Sequence, residues 1–310
     1  MLKERLVAPL DQPLVWRRYE RAAQTAKLGV IDPLAREVDL RMQERLDYVR
    51  INPQNILDLG SGQGASAAAL KQRYPEATLL LMDAVSTLLP SPVQSSAWRK
   101  YLGLLNTRLS RPVSPLPVCG DARQIPLSSK SQGLVWANLL LPWVDDHSAV
   151  FEEAHRVLET GGLFMFSTLG PDTLKELAAC FGDAYPHRHS FADMHDIGDL
   201  LGQSGFADPV VDMEVITVQY GQLKTLLQDL RRAAATSSHV HRSQTLPGHK
   251  GLRGRSAWES VATAWQNLAV NGSTSVSFEV IYGHAWSAAR NTLADGRSVI
   301  QFDPGARAKR

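Results

Sequence analysis

The stretch Asn55-Ile56-Leu57-Asp58-Leu59 runs without a break into Gly60-Ser61-Gly62-Gln63-Gly64, and this junction constrains the chain more than any other feature. Five mostly apolar residues read as a strand buried on both faces. Three glycines at alternate positions read as a tight turn whose backbone, free of Cβ atoms, approaches a ligand. Residues 65–73 are alanine-rich and read as a helix; Thr78-Leu79-Leu80-Leu81-Met82 reads as a second buried strand, closed by Asp83. Strand, glycine turn, helix, strand, acid is the order of a nucleotide-type site at the carboxyl ends of a sheet, with the acid accepting ribose hydroxyls. A dinucleotide site spaces its glycines G-x-G-x-x-G. Here the third comes one position early and position 65 is Ala. Asp58, two positions before the turn, suits a cationic amino-acid ligand better than a pyrophosphate.

The alternation continues along the chain. Residues 15–50 read as helical, with a second helix starting at Asp32-Pro33 and uninterrupted over 34–50. Further strands are expected at 118–121, 133–141, 163–168, 210–220 and 276–282, with Gly161-Gly162 as a turn. Helices are expected at 148–158, 172–181, 194–204, 223–235 and 256–269. Such a succession implies a parallel sheet with right-handed crossovers.

Composition narrows the function classes. No apolar run approaches the ~20 residues that span a bilayer. Met1-Leu2-Lys3-Glu4-Arg5 lacks the pattern of a secretory signal. Cys119 and Cys180 give neither a disulfide framework nor a metal spacing, so a reducing cytoplasm is the expected compartment. A net charge of +2 is too small to argue for nucleic acid. Its distribution is uneven: Arg231, Arg232, Arg242, Lys250, Arg253 and Arg255 fall in 231–255 with no Asp or Glu, which reads as a solvated loop or a docking surface for an acidic partner. His187, His189 and His195 lack companion ligands, and no metal site is expected. Asp145-Asp146 reads as a helix cap before Ser148. Trp143 reads either as a core residue or as a ring stacked near the ligand, and His284 as packed. Ser61 has no G-x-S-x-G context, which argues against a serine hydrolase.

Four more motifs follow the glycine turn in order: Asp83 after the second strand, Gly120-Asp121-Ala122, Asn138-Leu139-Leu140-Leu141-Pro142-Trp143, and Arg156-Val157-Leu158 through Gly161-Gly162. Together they resemble class I S-adenosylmethionine-dependent methyltransferases. The stretch from Phe166-Ser167-Thr168-Leu169-Gly170-Pro171 to Leu177, together with Arg18-Tyr19-Glu20-Arg21-Ala22-Ala23 and Asp196-Ile197-Gly198-Asp199-Leu200, resembles the malonyl-acyl-carrier-protein O-methyltransferases of biotin synthesis. It also resembles the related assembly factors of respiratory complex I. The resemblance covers residues 15–285, with Ala26 where the family often has Tyr, and Ala233-Ala234-Ala235 where it has a Gly.

The resemblance implies an α/β fold: a doubly wound, Rossmann-like class I methyltransferase sheet with an N-terminal helical segment and a helical insertion before the last strand. The expected division is 1–50 as a helical cap, 51–220 as the cofactor-binding core, 221–270 as a basic helical insertion, 271–290 as the last core strand and 291–310 as a tail. The implied cofactor is S-adenosylmethionine, held by Asp58, Gly60, Ser61, Gly62, Gly64, Asp83, Ala84, Asp121, Ala122 and Asn138. The implied reaction is methylation of the free carboxylate of malonyl-acyl carrier protein, with the 231–255 segment docking the acidic carrier. A carboxylate is already ionised at neutral pH, so no general base is needed and no catalytic residue is named. Arg18, Arg21, Arg231, Arg232 and Arg242 are candidates to orient it. Two alternatives stand beside this one: a methyltransferase-like accessory factor that binds protein, and a methyltransferase of quinone-type metabolites.

Overall fold

A strand flanked by strands on both edges and helices on both faces can expose almost nothing, and 55–59 meets that condition: Ile56, Leu57 and Leu59 are fully buried. The computed structural model describes residues 10–25, 33–90, 115–181, 191–232 and 255–288. Two helices lead, α1 (Gln12–Thr25) and α2 (Pro33–Leu46). β1 (Asn55–Leu59), α3 (Ala67–Arg73), β2 (Thr78–Asp83), β3 (Leu116–Cys119), β4 (Gln132–Ala137), a 3-10 turn (Leu141–Trp143), α4 (His147–Val157) and β5 (Leu158–Leu169) follow. The remainder is α5 (Lys175–Phe181), α6 (Met194–Gln203), β6 (Ala207–Tyr220), α7 (Leu223–Arg232), α8 (Arg255–Asn267) and β7 (Thr274–Trp286).

The strands form one sheet in the order β3-β2-β1-β4-β5-β7-β6. Alternate residues of each strand feed two cores. Ile56, Leu79, Leu81, Leu134 and Met165 pack under α2, α3, α5, α7 and α8. Leu57, Leu59, Met82, Val135, Phe164 and Phe166 pack under α4 and α6. β3, β2, β1, β4 and β5 pair in parallel, as expected. β7 does not: it runs antiparallel to β5 and to β6. A β6–β7 pair joined as an antiparallel hairpin needs no crossover, and the α7–α8 insertion is placed between its two arms.

Of the boundaries that differ from the expected ones, three have a clear local reason. The second helix ends at Leu46, because the amides of Asp47, Tyr48 and Val49 donate to carbonyls three residues back and tighten the chain well before Asn52-Pro53. The fourth strand ends at Ala137, since Leu139 takes a φ of +51° and its amide donates to Ser167 Oγ instead of the ladder. Gly161-Gly162 is a bulge within one long strand, not a turn before it. The pair Gln132–Leu158 is followed by Leu134–Leu163, and the displaced residues bond sideways to Ser287. Residues 233–254 of the basic segment, with Ala233–Ala235, and His187, His189 and Ala26 lie outside the described residues.

Charge ties α2 across the sheet to its far edge. Arg41 Nη1 pairs with Glu214 at 2.7 Å and Arg45 Nη2 with Asp212 at 2.9 Å, and the Arg45 guanidinium lies 3.7 Å above the Tyr282 ring. These pairs are partly exposed and individually modest; the burial of Val38, Met42 and Leu46 holds the helix down. The opposite core is aromatic. Phe166 is fully buried, with ring centroids 5.4 Å from Phe151 and 4.9 Å from Phe164. Phe166→Ala is expected to cost ~3–5 kcal/mol, read as a lower denaturation midpoint with an unchanged slope.

Candidate cofactor site

The turn after β1 is held by β2. The amides of Gly60 and Ser61 both donate to the Met82 carbonyl, at 2.8 and 3.0 Å. Gly60 has a φ of +76°, and a Cβ there would meet Leu140 Cδ1 at 2.8 Å, so both conformation and space demand glycine. Gly62 also has a positive φ, +52°, but nothing lies within 4 Å of where its Cβ would be, so there conformation and not space demands glycine. The backbone there borders open space, as a ligand cradle does. Gly64 completes the turn, its amide donating to the Ser61 carbonyl at 2.8 Å.

Asp83 stands at the end of β2. Its Oδ2 accepts from the Gly62 amide at 3.1 Å and its Oδ1 from the Val85 amide at 2.8 Å. Each oxygen keeps a lone pair for a further donor. Burial raises its carboxyl above the usual range, against the lowering effect of those two amides. Ala84 follows, half-buried, its carbonyl 3.7 Å from Cys119 Sγ.

Asp58 is 2% exposed, and its Oδ2 has no hydrogen-bond partner. Burial pushes its carboxyl well above the ordinary value, and the charges of Asp39 and Asp83 push the same way. The Ser61 hydroxyl is a second buried polar atom without a partner. An orphaned carboxylate oxygen beside an open cradle is the arrangement a cationic ligand completes.

The other expected residues lie along the same edge of the sheet. Asp121 follows β3, with Ala122 buried behind it. Burial raises the Asp121 carboxyl, but Arg123 outweighs it, and the net shift is downward. Arg123 donates to both oxygens of Asp121, at 2.7 Å through Nη2, and its Nη1 meets Asp145 at 2.8 Å. Asn138, after β4, donates from Nδ2 to the Ala35 carbonyl at 2.9 Å and accepts from Ser167 Oγ at 2.8 Å, so it braces α2 against the end of β5. Trp143 is partly exposed and stands edge-on to Tyr19 of α1, centroids 5.4 Å apart; its carbonyl accepts from Gln12 Nε2. The aspartate pair divides: Asp146 caps α4 by accepting from the Ala149 amide, while Asp145 holds Arg123. His284 is half-buried, with Asp212 the charge that acts on it.

Sequence reasoning missed one cluster. Asp39 of α2, 6% exposed, accepts through Oδ1 from Ser66 Oγ at 2.5 Å and from Trp136 Nε1 at 3.2 Å. Trp136 is the register partner of Asp58, so this cluster lies on the same face, beneath the turn. The only signal was Asp39 falling between Val38 and Met42 on the apolar side of its helix.

Comparison with known proteins agrees with this geometry. Residues 57–166 match a methyltransferase domain family. The fold is shared with the YcgJ protein of Bacillus subtilis (14% identity, TM-score 0.53, 82% of this chain and 99% of that one) and with the [4+2]-cyclase SpnF (16% identity, TM-score 0.50, 91% and 98%). Fold and site together define a class I S-adenosylmethionine-dependent methyltransferase. Malonyl-[acyl-carrier protein] O-methyltransferases from Gallionella capsiferriformans and Laribacter hongkongensis are each 41% identical, over 94% and 96% of this chain and 96% and 97% of theirs. One from Coxiella burnetii is 34% identical over 94% of both. The chain belongs to the malonyl-[acyl-carrier protein] O-methyltransferase family.

The buried acid has a measurable signature. In the ligand-free protein Asp58 holds its proton more tightly when folded than when unfolded. Its contribution to stability is therefore complete below about pH 4 and is lost as pH rises through the raised value. Asp58→Asn is expected to flatten that slope and to raise the ligand-free unfolding midpoint by a few degrees at pH 7.5, as ~1–2 kcal/mol would. It is also expected to weaken S-adenosylhomocysteine binding at least ~tenfold, since the cation's counter-charge is gone. Thermal unfolding across pH and calorimetry check both halves.

Proposed function

We propose that this protein transfers the methyl group of S-adenosylmethionine to the free carboxylate of a malonyl group carried on acyl carrier protein, forming the methyl ester. The observation that carries the reading is the extent of the similarity. An identity of 41% over 295 residues spans far more than the 57–166 core, which a shared fold alone does not require.

The residues present fit the cofactor. Asp58 and Ser61, each with a buried polar atom that lacks a partner, would hold the amino-acid end together with the backbone of Gly60, Gly62 and Gly64. Asp83, whose oxygens each keep a lone pair, would hold the ribose hydroxyls beside Ala84. Asp121 and Ala122 would hold the adenine, and Asn138 would support the methionine end from its place between α2 and Ser167. When bound, the cofactor supplies a methyl group already activated on a sulfonium.

The protein's own task is then orientation and exclusion of water. The acceptor is ionised at neutral pH, so no side chain has to remove a proton. Geometry replaces acid–base chemistry: an in-line approach, held close and dry, accounts for the rate. α1 packs against Trp143 through Tyr19 and Gln12, and the two helices that flank the insertion, α7 and α8, pack into the same core as Trp136. We place the division of the chain accordingly: helical cap 1–50, cofactor core 51–220, acceptor-side insertion 221–270 and final core strand 271–290. Among the described residues no helix is long and apolar enough to cross a membrane.

Incubation with methyl-labelled S-adenosylmethionine and malonyl-acyl carrier protein is expected to yield a carrier heavier by one methyl group and labile to base. Retained adenosylhomocysteine binding without transfer to that carrier would overturn the acceptor assignment; transfer to a quinol instead would name another. The basic segment is assigned to carrier docking on charge, since carrier proteins are acidic. Most of it, including Arg242, Lys250 and Arg253, lies outside the described residues, while Arg231 is exposed at the end of α7. Reversing Arg253 and Arg255 to Glu is expected to raise KM for the carrier-bound substrate ~tenfold or more and to leave adenosylhomocysteine affinity within about twofold. Steady-state kinetics beside calorimetry separate the two.

A further inference from the structure

We infer that Asp39 is a positioning residue for the cofactor's amino-acid end: a second buried carboxylate, delivered by the N-terminal helix, whose charge cooperates with Asp58 in holding a cationic ligand. The inference rests on the proposed cofactor site and adds a residue that no motif of the core contains.

Four observations carry it. Asp39 is 6% exposed although it belongs to a helix otherwise rich in surface charge. Its Oδ1 is built in, taking Ser66 Oγ at 2.5 Å and Trp136 Nε1 at 3.2 Å, and Trp136 Nε1 also reaches Ser66 Oγ at 3.2 Å. Ser66 occupies the N-cap of α3, yet its side chain makes no capping bond; the hydroxyl serves the carboxylate instead. Asp58, one strand over and in register with Trp136, keeps its Oδ2 buried and unpartnered.

The field around Asp58 is therefore one-sided. The charges acting on it are the carboxylates of Asp39 and Asp83, and among the described residues no Lys or Arg forms an ion pair with Asp39 or Asp58. Burying like charges together is unfavourable unless a cation arrives. A hydrogen-bonded triad of Asp, Ser and Trp is more than packing requires, because it commits three buried polar groups to one another where apolar side chains would need no partners. The ligand that fits is a nucleoside bearing an ammonium group; a neutral nucleoside gains nothing from the second carboxylate.

That contrast supplies the test. Binding of S-adenosylhomocysteine and of 5′-methylthioadenosine, which lacks the amino-acid end, is measured by calorimetry on the full chain and on Asp39→Asn. Asn keeps an acceptor oxygen for Ser66 and Trp136 but removes the charge. The expected result is a loss of about tenfold for adenosylhomocysteine, the effect of deleting one unit charge at intermediate dielectric, with methylthioadenosine changed by less than about twofold. Equal weakening of both ligands, or of neither, overturns the inference and makes Asp39 structural. Wild-type protein that is folded and binds neither ligand overturns the proposed cofactor site as well. Trp136→Phe provides the same comparison if the Asn variant does not fold: it keeps the carboxylate and removes one donor. A smaller loss confined to adenosylhomocysteine supports the inference, and an unselective loss overturns it.

Discussion

A carboxylate that is taken out of water and given nothing to hold is the constraint around which this molecule is arranged. Asp58 sits on an inner strand of the sheet, where its neighbours in sequence are wholly buried and the charges that act on it have the same sign. In isolation that is an error a folding chain would avoid. Its presence makes sense only if the rest of the fold is stable enough to carry it and a ligand makes good the deficit. The two cores on either side of the sheet supply that stability, one through α2 and its helical neighbours, the other through the Phe151, Phe164 and Phe166 cluster. Strain of this kind gathers where function is.

The glycine turn is the counterpart of that acid. β2 anchors it through the Met82 carbonyl and the Asp83 carboxylate, so the strand that carries this acid also sets the shape of the loop. Under the proposed binding mode one strand would thereby set the distance between the two ends of the ligand. Asn138 and Ser167 extend the same logic to β4 and β5, passing the position of α2 to the sheet through two hydrogen bonds.

Much of this was legible in residue order. The strand, the turn and Asp83 could be read directly because they are contiguous and because backbone geometry at φ > 0 leaves a mark in glycine. The antiparallel sense of β7 was not legible: an apolar strand reads alike in either direction, and the alternation that foretold parallel pairing for the first five strands carries no information about the last. Strand and helix ends were misjudged where side chains intervened, as Ser167 does at Leu139 and as the three-residue carbonyl bonds do after Leu46. Asp39 escaped notice for a different reason. Its helix carries acids and bases throughout, and burial of one among them is decided by Ser66 and Trp136, which are distant in sequence.

The β6–β7 hairpin has an evolutionary implication. Tyr220 pairs with Thr274, so everything between them leaves and re-enters the sheet at a single rung. A segment rooted in that way can be lengthened, recharged or exchanged at an entropic penalty that grows only logarithmically with its size. Descendants of such a scaffold are free to change what is carried there while β1, β2 and the turn between them, remote in the wiring, are inherited untouched.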